Sequence, residues 1–192
     1  KVVAVIAELL GYEVSFFDDA YPQKMFLESW SIVGTTNDLL SALKEFKQIH
    51  VAIGINAIRK EKLLLFSKQG VELPKLIHPS ATVSNYASLG DGVAVMAGAV
   101  INPFATVASG CIVNTGAVIE HDCVIEACSH ISPNATLCGG ASLGECSWLG
   151  AGSVVKQLVV VGCYCVVGAG SSVVHNIESG VTVAGCPAKP LK

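Results

Sequence analysis

Several things are scarce in this chain of 192 residues, and each scarcity closes off a class. Charged residues make up only 14%, while 52% of the chain is hydrophobic, the reverse of a disordered sequence. Glycine, at 19 residues, falls far short of the third that a collagen repeat needs. The net charge of −3 supplies no basic footprint for a nucleic-acid backbone, so no nucleic-acid partner is expected. No apolar run approaches the roughly 20 residues of a membrane span, so no membrane association is expected either. The opening residues Lys1-Val2-Val3-Ala4 lead quickly to Glu8 and Glu13, which is not the pattern of a secretory leader. Eight cysteines occur, yet none forms a Cys-x-x-Cys pair, and Cys163-Tyr164-Cys165 is too tight for a zinc knuckle. The expectation is a cytoplasmic chain with reduced thiols, including Cys128 and Cys146, and no metal.

What charge there is lies unevenly. Eighteen charged residues fall in 1–76, whereas 77–173 holds only Asp91, Glu120, Asp122, Glu126, Glu145 and Lys156. The break near Lys75 predicts two architectures in one chain.

Counting by six from Ile77 exposes the second. Ile, Leu or Val occupies all seventeen positions from Ile77 to Val173, and the residue four later is nearly always Ala, Ser, Cys or Val. An apolar residue every sixth position with a small one beside it is the hexapeptide repeat of a parallel β-helix. Three hexads close one triangular coil, so residues eighteen apart stack about one strand spacing from each other. Glycine recurs three residues after the aliphatic at 92, 98, 110, 116, 140, 152 and 170, where a tight corner calls for positive φ. Sorting the outward positions by face puts Ala94, Ile112, His130, Trp148 and Val166 in one column. Apolar residues so aligned predict an oligomer interface.

Residues 1–76 read as a small parallel α/β unit. A helix is expected over 2–10 with Gly11 as its stop, a strand over 13–17, and a helix over 36–46 capped by Thr36 or Asn37. A β-rich run over 50–55 and a helix over 56–69 ending at Gly70 complete it. The chain opens directly on a helix, where a parallel α/β unit normally has a strand and a loop before it, a loop that is Gly-rich in the family the repeat region resembles.

Among five histidines, His121 stands out, because Asp122 follows it at a corner of the coil. A carboxylate can orient an imidazole and support the imidazolium formed when the ring takes a proton. The eight cysteines and the many serines lack a convincing base-paired arrangement for a nucleophile.

The hexads and the segment Asn114-Thr115-Gly116-Ala117-Val118-Ile119-Glu120-His121-Asp122-Cys123 resemble the hexapeptide-repeat sugar acyltransferases of the sialic-acid O-acetyltransferase type. Within that type, the segment is most similar to enzymes that N-acetylate a UDP-linked 4-amino-4,6-dideoxy sugar on the route to bacillosamine. The resemblance implies a left-handed β-helix over 77–178 after a Rossmann-like nucleotide-sugar-binding α/β domain over 1–76. It also implies a tail over 179–192 near coenzyme A, a homotrimer, and acetyl-CoA as co-substrate with no metal. It makes His121 the proton acceptor, Asp122 (where the group typically has Glu) its support, and Asn114 a neighbour of the site. It places Asp18, Asp19, Gly54, Asn56 and Arg59 against the nucleotide sugar, and His130, Ala151, Ala169 and Lys189 against acetyl-CoA. Lys189 belongs to Gly185-Cys186-Pro187-Ala188-Lys189, which resembles the family's closing motif. O-acetylation of a sialic acid and N-acetylation of a GDP-linked sugar stay open. So do a γ-type carbonic anhydrase, which needs three zinc-binding histidines, and a solenoid without chemistry.

Overall fold

The computed structural model describes residues 1–191. Seventeen two-residue strands, β4 (Leu76–Ile77) to β20 (Ser172–Val173), recur every six residues and pair in parallel with the strand eighteen residues away. They build the three faces of a left-handed β-helical prism. Face I carries Ala94, Ile112, His130, Trp148 and Val166 in register. Face II carries Val100, Val118, Thr136, Val154 and Ser172, and face III carries Thr106, Val124, Ser142 and Val160. The stacking read from the sequence is the stacking in space.

Inside the prism the hexad aliphatics and their small partners form one continuous core, with Val95, Val113, Ile119, Ile131, Leu137 and Leu149 fully buried. Two of the interior serines place their hydroxyl on a carbonyl of the next coil, Ser129 Oγ donating to Gly144 O at 2.8 Å and Ser147 Oγ to Gly162 O at 2.7 Å, whereas Ser153 Oγ is buried without a partner among the described residues.

From Gly92 to Gly170 every corner turns through a positive φ. The seven predicted glycines adopt it, and so do Phe104, Asp122, Cys128, Asn134, Cys146, Leu158 and Tyr164 at the same place in their hexads. A side chain there costs roughly 1–2 kcal/mol against glycine, least for Asn and Asp. Cys128 and Cys146 lie under the N-terminal part with Leu63 and Phe66, and Lys60 reaches Tyr164.

That part consists of α1 (Val2–Leu9), β1 (Phe16–Phe17), β2 (Phe26–Leu27), β3 (Trp30–Gly34), α2 (Thr36–Ser41), a 3-10 turn (Leu43–Glu45) and α3 (Asn56–Ser67). β1 pairs in parallel with β3, a strand not among the expected elements, and β2 adds an antiparallel strand to β3. Four expectations need correction. The strand over 13–17 shrinks to its last two residues. The helix over 36–46 breaks at Ser41. Its cap is Thr35, which completes a capping box with Asp38. Residues 50–55 form no strand, because apart from the Gln48–Glu72 bridge nothing runs alongside to pair with them.

α1 packs Ile6 and Ala7 on Leu76, Ala94, Met96 and Ile112. Ile112 is consequently only 9% exposed, so it does not belong to the exposed apolar column expected on face I. Trp148, at 47%, and Val166 are what that face shows to solvent. After β20, β21 (Thr182–Ala184) extends face I by pairing with Val166 and Val167, and β22 (Lys189–Pro190) folds back on it. All eight cysteines are free thiols, and no helix is long and apolar enough to cross a membrane among the described residues.

Candidate active site

His121 and Asp122 follow β11 (Val118–Ile119) at the edge between faces II and III. Their backbone is pinned from both sides: Asp122 N–H donates to Pro103 O on the coil below at 3.2 Å, and Gly140 N–H from the coil above donates to His121 O at 2.9 Å. The positive φ of Asp122 turns its carboxylate back toward the ring, and Nδ1 and Oδ2 lie 2.7 Å apart. With the ring neutral, Nδ1 donates to the carboxylate and Nε2 keeps its lone pair, the arrangement of a general base.

Nε2 points at Gly139. A Cβ on that residue would fall 2.6 Å from Nε2 and 2.7 Å from Cε1, so only glycine leaves room for the imidazole. The N–H of Gly139 makes no hydrogen bond among the described residues, leaving a backbone donor beside the base. Sequence reasoning passed over Gly139. The signal was available, since Gly139-Gly140 stands eighteen residues after His121-Asp122 and must stack on it.

A second polar cluster occupies face I. Asn114 Nδ2 donates to His130 Nε2 at 3.1 Å, while its Oδ1 accepts the Thr115 N–H at 2.8 Å. The His130 ring stacks on Trp148, with centroids 5.6 Å apart and planes 3° from parallel. Trp148 Nε1 is held by Ser132 Oγ at 2.6 Å. Burial first, and the charge of Arg59 second, hold the His130 pKa down at about 4. The ring is therefore neutral at neutral pH and suited to packing against an uncharged group.

This depression has a stability consequence with a definite sign. Between the ordinary value of 6.5 and about 4, the unfolded chain binds a proton that the folded chain refuses. Stability is full above pH 6.5 and is lost as pH falls toward 4. Part of the ring meets solvent, so the expected loss at pH 5 is about 1–2 kcal/mol. His50, whose pKa burial also lowers, adds in the same direction. Urea midpoints at pH 7.5 and pH 5 measure the loss, which shrinks in His130→Gln.

A cavity of about 180 Å³ opens between the N-terminal part and face I, with His50, Gly54, Arg59, Met96, Asn114 and His130 in its wall. Of the residues expected against the nucleotide sugar, Arg59 is fully buried and spends its guanidinium on the chain itself. Nε donates to Gly110 O, Nη1 to Ile53 O and Gly54 O, and Nη2 to Cys128 O and Asn56 Oδ1, all at 2.7–3.1 Å. Asn56 Nδ2 in turn donates to Cys146 O at 2.9 Å. These two side chains join the N-terminal part to the prism, and what they offer a ligand is a fixed Ile53-Gly54 loop. Gly54 faces open space.

Asp18 and Asp19 sit at the end of β1, away from this cavity. Asp18 accepts the Ala20 N–H and pairs with Lys24 at 3.0 Å, which together lower its pKa. Asp19 pairs with Lys62 at 2.9 Å and accepts the Thr36 N–H at 2.7 Å, holding its pKa down at about 2.

Ala151 and Ala169 share the edge between faces I and II with the Asn114 corner, each exposed. The tail reaches the same edge, where a Cβ on Gly168 would meet Ala184 at 2.9 Å, and the exposed Lys189 pairs with Ala184. Asn114, His130, Ala151, Ala169 and the tail thus form one strip, while His121 and Asp122 lie one full face away. A hexad of extended chain separates them, on the order of 15–20 Å.

A hexapeptide prism with a histidine–carboxylate pair on one edge and a small-residue strip on another defines the class of hexapeptide-repeat acyltransferases. Residues 1–63 match the family model of the PglD N-terminal domain. The acetyltransferase domain of PglB from Neisseria gonorrhoeae is 42% identical with a TM-score of 0.94, the match covering 99% of this chain and 93% of that one. A second structure of that domain, 43% identical over the same shares and with the same TM-score, is in complex with acetyl coenzyme A. PerB from Caulobacter crescentus, in complex with CoA and GDP-perosamine, is 36% identical with a TM-score of 0.94 over 100% of this chain and 91% of that one. The chain belongs to this family of hexapeptide-repeat sugar N-acetyltransferases.

Proposed function

We propose that this protein transfers the acetyl group of acetyl-CoA to the 4-amino group of a UDP-linked 4-amino-4,6-dideoxy sugar, with His121 as general base. The observation that carries this reading is the pair of His121 and Asp122 with Nε2 free beside Gly139. The sugar amine attacks the thioester carbonyl. A C–N bond forms, the C–S bond breaks, Nε2 takes the proton released from nitrogen, and the departing thiolate receives a proton from the imidazolium. Asp122 stabilises the imidazolium, and the unpaired Gly139 N–H is placed to stabilise the oxyanion. No covalent enzyme intermediate is required, so positioning supplies much of the rate.

Domain roles follow the architecture: 1–76 holds the nucleotide sugar, 77–178 performs the chemistry, and 179–192 lies along coenzyme A. With the thioester at His130 and Asn114, the base of the same copy is a whole face distant, whereas attack needs atoms about 3–3.5 Å apart. The site is completed when the His121 edge of one copy meets the His130 face of the next, around exposed Trp148 and Val166. A cyclic trimer accomplishes this, and light scattering is expected to give three times the chain mass. An active monomer would overturn the shared site. Cytoplasmic synthesis of bacillosamine-type sugars is the setting this chemistry fits. PerB supports a second reading, with a GDP-linked acceptor. Thiol release from acetyl-CoA across UDP- and GDP-linked 4-amino sugars decides between the two.

A further inference from the structure

We infer that the edge around His121 is a notch for the acceptor sugar, and that Phe104 and Leu158 are its specificity-determining walls. This rests on the assignment of His121 as base.

The argument starts from the corners where a side chain occupies a conformation suited to glycine. Those on the edge between faces III and I are accounted for within the chain: Cys128 and Cys146 are buried in the seam with α3, and Tyr164 meets Lys60 from the same helix. Asn134 is a residue type that tolerates this conformation. Phe104, Asp122 and Leu158 remain, and all three share the edge that carries the base. Asp122 orients His121. Phe104 is 62% exposed and Leu158 76%, and the one ring Phe104 lies against, Tyr86, is itself 72% exposed, so little packing offsets the strained backbone and the apolar surface in water. What covers their exposed faces lies outside the chain.

Their placement shows what that is. Phe104 is one coil below Asp122, and its ring lies against that of Tyr86 with centroids 5.5 Å apart, a broad aromatic shelf. Above the pair, Gly139 and Gly140 present no side chains. Leu158, two coils up, leans down so far that a Cβ on Gly140 would touch its Cδ2 at 2.8 Å. The base therefore stands in a gap with an aromatic floor and an aliphatic roof, and neither wall carries a charge. A sugar whose amine reaches Nε2 must lay the neighbouring carbon and its substituent on one of these walls. In a 4-amino-4,6-dideoxy hexose that substituent is a methyl group. In the 6-hydroxy counterpart it is a hydroxymethyl, which would bury a hydroxyl without a partner. The walls select the methyl.

The test uses the full chain with Phe104→Gly and Leu158→Gly, substitutions that suit the positive φ and preserve the fold, with Phe104→Asn as a second variant. Acceptors are the 4-amino-4,6-dideoxy sugar and its 6-hydroxy counterpart, on whichever nucleotide the panel above identifies. The expected result is a roughly tenfold or greater rise in KM for the deoxy acceptor and a several-fold narrower preference over the hydroxy one. The KM for acetyl-CoA should stay within about twofold. An unchanged preference in both glycine variants overturns the inference. So does dissociation of the assembly in light scattering with kinetics per assembled site intact, which would make these residues contacts between copies. His121→Ala in the same assay keeps the two claims apart: full turnover there removes the base itself, whereas its loss beside unchanged wall variants removes only the walls.

Discussion

Replacing His121 by alanine lowers kcat by about 10²–10⁴ while binding of acetyl-CoA persists. The ring is exposed, so its removal is expected to leave the prism intact, and melting curves of the variant should overlay those of the parent. The loss appears in the chemical step because Nε2 is the one basic atom presented on that edge with a carboxylate behind it. Asp122→Asn costs less, since the imidazole survives without its charged support. Active-site-normalised turnover, measured by thiol release, checks both. Full turnover by folded His121→Ala would leave the mechanism without a base.

The second large effect is expected at a residue that has no side chain to take part in the chemistry. Gly139→Ala adds one methyl group, and its carbon would stand 2.6 Å from Nε2. The backbone at 139 is not in the left-handed region, so alanine is acceptable there and the fold should hold. The imidazole must swing away, and a displacement near 1 Å at the reacting atom costs about 10² in rate. The comparison is Gly144→Ala, whose Cβ would meet the backbone of Gly162 and Cys163 at 2.5 Å. That variant should lose stability instead, with turnover per folded molecule preserved. Paired measurements of kcat and thermal midpoint separate displacement of the base from damage to a coil.

The prism was legible because its rule is arithmetic. Once Ile77 to Val173 fixed the period, faces, corners and stacking partners followed, and the columns containing His130 and Trp148 were correct to the residue. The period does not say what covers a face. Ile112 belongs to the exposed column by phase alone, and α1, arriving from over a hundred residues earlier, buries it. The pairing of His121 with Asp122 could be read because the residues are adjacent. The room made by Gly139 could not be read from local pattern, since it depends on where an imidazole points one coil below. Resemblance alone sets Arg59 against the nucleotide sugar, and its bonds to the chain could not be read, because carbonyl partners have no signature in sequence. In the N-terminal part, the strand pairing of residues 50–55 failed for lack of a partner, and only the assembled sheet reveals that.

The junction held by Arg59 has a mechanical consequence. Its guanidinium is surrounded by carbonyl oxygens and one side-chain amide, with no carboxylate among its hydrogen-bond partners. A hinge between two modules commonly relies on solvated ion pairs, which dissolved salt screens over a Debye length of about 8 Å at physiological strength. This weld is buried and wired to main chain on both sides, so ionic strength can act on the partly exposed Lys60–Glu145 pair beside it but has little to act on at Arg59 itself. The loop at Ile53 and Gly54 and the wall at Asn114 and His130 then behave as one rigid casting, and a substrate that spans them meets a distance set by the backbone.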